Sequence, residues 1–99
     1  MTPAQAYAQL NRLLWANRLP KARIVIGNDL TRKCMGLTIQ DDVLVQPVIF
    51  LNSAYKRWGS TLVHEIVHVA EPSLGHGKLF DALVNHYWRA AKKVIAGIK

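Results

Sequence analysis

Ninety-nine residues suffice for one domain with a modest core and are too few for two, so 1–99 is read as a single domain. With 51% hydrophobic and 19% charged residues, the chain has no apolar run near the roughly 20 residues of a bilayer-spanning helix, so a soluble, globular protein is expected. Thirteen Lys and Arg against six Asp and Glu leave a formal charge of +7, which favours polyanions, while the single Cys34 excludes an internal disulfide and a cysteine-rich metal site.

The chain opens as a helix start, with Thr2 as N-cap, Pro3 at the first helical position and Gln5 three residues after the cap. Residues 1–16 lack the basic start, apolar block and small-residue site of a signal peptide, so a cytoplasmic protein is expected. Ala6, Leu10, Leu13 and Leu14 form one apolar stripe at helical spacing, and Pro20 stops any continuation. The pattern then changes to short β-branched runs over 23–27, 35–40 and 43–51, with turn residues Gly27, Asn28, Asp29, Asp41 and Asp42 between them. These runs predict a small, mostly antiparallel sheet of about three strands. Pro47, which cannot donate to a ladder, makes its strand an edge or breaks it in two.

After Gly59 and Ser60, the spacing of Leu62, Ile66 and Val69 predicts a second helix over 61–70, ended by Pro72. A third helix is predicted over 78–96, with Leu79, Leu83, Val84, Tyr87 and Ala91 inward and Gly97 as its stop. The order helix, sheet, helix, helix is that of an α+β domain.

His64, Glu65 and His68 form an HExxH motif on the second helix. Residues four apart on a helix are neighbours, about 5–6 Å apart at Cβ, so both imidazoles can reach one Zn²⁺. Glu65, one step round, is placed to take a proton from the attacking water and deliver it to a leaving amine. A catalytic zinc takes three protein ligands, and His76, flanked by Gly75 and Gly77 beyond the break at Pro72, is the candidate third. Glu71 is a rival third ligand. A closed structural zinc completed by Cys34 or Glu71 is the competing use of the same histidines, and it leaves Glu65 without a role. The spacing of His86 fits no ligand set.

The HExxH segment followed by Gly75-His76-Gly77-Lys78-Leu79-Phe80 resembles the SprT-like zinc metalloprotease domain, whose members include DNA–protein crosslink proteases. The resemblance implies a zinc-dependent endopeptidase that binds one Zn²⁺ per chain through His64, His68 and His76. It implies Glu65 as the catalytic base and Phe80 packed under the site. The chain lacks a cysteine-based zinc ribbon after the core and resembles a minimal form of the domain, of the kind a compact genome such as a phage's would carry, acting in a host cytoplasm or at the nucleoid.

Basic residues group at Arg18, Lys21 and Arg23, at Arg32 and Lys33, at Lys56 and Arg57, and at Arg89, Lys92 and Lys93. Tyr55 and Trp58 flank the third group, and Tyr87 and Trp88 precede the last, a composition suited to stacking on bases beside phosphate contacts. Each group taken alone also reads as a solvated face. The functional expectation is therefore a monomeric metallopeptidase acting on protein substrates, including DNA-bound ones, with non-specific DNA contacts through Lys56, Arg57, Arg89, Lys92 and Lys93. The alternative is a catalytically silent, zinc-stabilised DNA- or protein-binding module. Tyr55 and Tyr87 are candidate donors to the oxyanion.

Overall fold

The computed structural model describes residues 2–27, 36–40, 46–53 and 58–97. Within them, α1 (Pro3–Leu14) is followed by β1 (Arg23–Gly27), β2 (Gly36–Ile39), β3 (Val48–Asn52), α2 (Trp58–Ala70) and α3 (Lys78–Gly97), an α+β domain. The turn residues Asn28, Asp29, Asp41 and Asp42, together with Arg32, Lys33, Cys34, Tyr55, Lys56 and Arg57, lie outside the described residues.

α1 starts as its sequence dictates. The Gln5 backbone N–H donates to Thr2 Oγ1 at 3.1 Å and the Thr2 N–H donates to Gln5 Oε1 at 2.9 Å, a reciprocal capping box. It ends well before Pro20. Ala16 and Asn17 adopt left-handed backbone at φ 51° and 61°, and the Asn17 N–H closes back on the Asn11 carbonyl at 2.9 Å. Ala6 and Leu10 are fully buried, but Leu13, expected on the same stripe, is 51% exposed because the stripe runs 6, 7, 10, 14.

The sheet has the order β1-β3-β2 and is mixed. β2 pairs antiparallel with β3, whereas β1 pairs parallel with β3, Arg23 opposite Val48 and Gly27 opposite Asn52. β3 therefore occupies the centre, which rules out the edge position, one of the two options its proline left open. Pro47 sits just before the strand, where it is asked only for its carbonyl, which accepts from the Arg23 N–H at 2.9 Å.

The register puts Ile24, Thr38, Ile49, Gly36 and Leu51 on the face covered by helices. Val25, Leu37, Ile39, Val48 and Phe50 lie on the other face, partly exposed. α2 touches α1, α3, β2 and β3, so it is buried almost all round: Leu62, Val63, Ile66 and Val67 have no exposure. α3 packs on α1 and α2 along Phe80, Tyr87, Trp88, Ala91, Val94 and Ile95. Leu79, predicted inward, is 63% exposed, and the neighbouring Phe80 takes the buried position at 0%. Among the described residues, no helix is long and apolar enough to cross a membrane.

Candidate metal centre

α2 ends at Ala70, and its polar exit is closed by a tight turn in which the Glu71 N–H donates to the Val67 carbonyl and the Leu74 N–H to the Glu71 carbonyl. Pro72 lies in that turn, and residues 74–77 carry His76 back over the helix. α3 then begins with the Asp81 N–H donating to the Gly77 carbonyl at 2.9 Å. Neither Gly75 nor Gly77 has a positive φ, and a Cβ on either would touch nothing. The proline turn rather than glycine freedom brings His76 into place.

His64, His68 and His76 converge as the motif requires. Their nearest ligand nitrogens all lie within 4.8 Å of one another, and His68 Nε2 and His76 Nε2 are 3.0 Å apart. Ligands about 2.0–2.1 Å from one tetrahedral ion sit about 3.3 Å apart, so the three imidazoles are close enough to hold a metal ion. Phe80 lies beneath all three, its ring centroid 4.9, 4.4 and 5.2 Å from those of His64, His68 and His76. Burial, and then the neighbouring His64 and His76, hold the His68 pKa below its ordinary 6.5, which keeps the imidazole in the neutral form that ligates metals.

Glu65 is 5% exposed. Its Oε1 accepts a 2.7 Å hydrogen bond from the Thr38 hydroxyl, and its Oε2 lies 4.0 Å from His64 Nε2. Burial raises the carboxyl pKa, and the Thr38 hydrogen bond and the charges of His64 and His76 work against that rise. The balance leaves the carboxyl pKa above its ordinary value, next to three imidazoles close enough to hold a metal ion. The cleft in front of it, about 470 Å³, is lined by Gly36, Leu37, Thr38 and Gln40 on one side and by His64, Glu65, His68, Pro72 and His76 on the other.

Of the other predicted residues, Glu71 is exposed outside the histidine cluster, and His86 is exposed on α3 against Tyr87. Tyr87 stacks on Trp15 at 4.2 Å between centroids and lines a different cavity, so it is not placed to serve an oxyanion in this cleft. Arg89, Lys92 and Lys93 are exposed on α3, while Lys56, Arg57, Tyr55 and Cys34 fall outside the described residues.

Sequence reasoning missed Gly36 and Thr38. A Cβ on Gly36 would meet Thr61 Cγ2 at 2.7 Å and Glu65 Cγ at 3.3 Å, so this glycine lets β2 approach α2. A glycine inside a β-branched run is the signal that could have marked that approach. Nothing in the local pattern marks Thr38. Comparison with family models, curated proteins and solved structures finds no match to this chain.

Proposed function

We propose that this protein is a zinc-dependent endopeptidase of the SprT-like type, with His64, His68 and His76 as metal ligands and Glu65 as general base. The observation that carries the reading is the convergence of three imidazoles and one buried, hydrogen-bonded carboxylate on a single cleft. The all-nitrogen donor set suits zinc, which when bound would polarise the scissile carbonyl and make water a competent nucleophile near neutral pH. Glu65 then accepts the proton from the attacking water and passes it to the departing amine nitrogen.

Two features favour polypeptide over a small amide. The ligands are only partly covered, His76 being exposed and His64 and His68 half-buried, so a chain can run across them. β2 lies at an edge of the described sheet and lines the cleft, where an extended segment can be laid alongside it. The +7 charge supports substrates bound to nucleic acid.

One observation also favours the zinc-stabilised binding module. The ligands come from α2 and from the segment leading into α3, so an ion there would tie the two helices together.

The test is zinc content of the wild type, Glu65→Gln and His76→Ala, paired with cleavage of a DNA-binding protein with and without single-stranded DNA. The peptidase reading expects one zinc in the wild type and Glu65→Gln, weakened binding in His76→Ala, and turnover reduced at least about 10²-fold by Glu65→Gln. Zinc without cleavage under any condition would shift the function to binding.

A further inference from the structure

We propose that Thr38 is the positioning residue for Glu65, its hydroxyl fixing one carboxylate oxygen so that the other is presented to the histidine cluster. The inference rests on the hydrolytic reading of the site and adds to it a residue outside the HExxH motif. Three observations converge on it. First, the two oxygens of Glu65 are differentiated: Oε1 takes the Thr38 hydroxyl at 2.7 Å, and Oε2 faces His64 Nε2 at 4.0 Å. Second, Gly36 and Thr38 are two apart on β2 and share the face turned to α2, while Leu37 and Ile39 point to the other face. Thr38 meets the carboxylate itself, and Gly36 leaves the space beside it open, since a Cβ there would come within 3.3 Å of Glu65 Cγ.

Third, the hydroxyl belongs to a β-branched residue on a strand, whose χ1 is stiff, so the donor is held in place before any substrate arrives. Thr38 Oγ1 also lies 3.4 Å from the Glu65 backbone carbonyl, which sets the strand against that particular turn of α2. A glutamate left with free torsions would present either oxygen, or neither, to the attacking water. Geometry near the reacting atoms is costly to lose, and hydrogen bonds to a charged partner are among the stronger ones.

The experiment compares the wild type with Thr38→Val, which has the same shape without the donor, and Thr38→Ser, which keeps the donor. Kinetics and zinc content are measured on each, with NMR of the Glu65 side chain in ¹³C-labelled, metal-free protein. Thr38→Val is expected to lower kcat roughly 10- to 100-fold with KM and zinc content near wild type, and Thr38→Ser to restore most of it. In the spectra, Glu65 holds one rotamer in the wild type and Thr38→Ser and averages among several in Thr38→Val.

A Thr38→Val protein with wild-type kcat would overturn the proposal, as would a Thr38→Ser protein as impaired as Thr38→Val. If the wild type binds zinc but cleaves nothing, the hydrolytic reading has failed, and the spectra decide the contact alone. A Glu65 rotamer lost in Thr38→Val and kept in Thr38→Ser sustains the positioning role, and one unchanged in Thr38→Val ends it.

Discussion

Tyr7 is the plainest case of one side chain organising a distant stretch of backbone. Buried on α1 at 6% exposure, it donates its hydroxyl to the Pro20 carbonyl at 2.6 Å, which draws the chain beyond the helix back onto it before β1 begins. Asn11 repeats the device one turn later, accepting from the Leu19 N–H on Oδ1 and donating from Nδ2 to the Leu19 carbonyl. Burial pushes the Tyr7 hydroxyl from 10.0 up to about 12. The folded state then keeps a proton that the unfolded chain has begun to lose, so this contribution is full below pH 10 and disappears as pH rises from 10 through about 12. Tyr7→Phe is expected to cost about 1 kcal/mol at neutral pH through the lost hydrogen bond. It should also lose stability less steeply than the wild type above pH 10. Urea unfolding at pH 8 and pH 11 checks both, and parallel losses in the two proteins would show that the hydroxyl is not the titrating group.

At the scale of elements, legibility followed how local the cause was. The capping box of α1, the 23–27 strand and the span of α3 were readable because neighbouring residues decide them. The pairing of His64 with His68 was readable because four-residue spacing on a helix is itself geometry, and His76 because a metal site needs a third ligand and the chain breaks at Pro72. The parallel pairing of β1 with β3 was not, since it depends on which strands meet across a gap of twenty residues and more. Thr38 was hidden for the same reason: its partner Glu65 is 27 residues away. The phase of α3 shows the limit within a helix. Leu79 and Phe80 are both apolar, so periodicity alone turned Leu79 inward, while the motif resemblance placed Phe80 under the histidines, where it lies. Phe80→Ala is accordingly expected to destabilise by about 3–5 kcal/mol and to weaken zinc binding, whereas Leu79→Ala should stay within about 0.5 kcal/mol of wild type. Denaturant unfolding with and without zinc measures the difference, and equal effects would mean that the assigned phase of α3 is wrong.

On a body of 31 × 28 × 28 Å, the +7 charge cannot act as one quantity in physiological salt. The Debye length is about 8 Å there, so charges on opposite sides are screened from a common ligand and only local groups count. Arg89, Lys92 and Lys93 form such a group: all three are exposed, and spacings of three and four put them on one face of α3. The only acid on that helix is Asp81, two turns away in its first turn. Each phosphate neutralised by a bound protein steepens the fall of affinity with salt by a fixed increment, so the group has a countable signature. Replacing all three residues by Gln should make the log–log salt slope for duplex DNA shallower by up to about 2.7, if each contacts one phosphate. Zinc content and unfolding midpoint should not move, because none of the three belongs to the core or the histidine cluster. Fluorescence anisotropy between about 50 and 200 mM salt measures the slope. An unchanged slope would remove α3 from the interface, and a wild type that binds no DNA at low salt would reduce the excess charge to a property of its solvated faces.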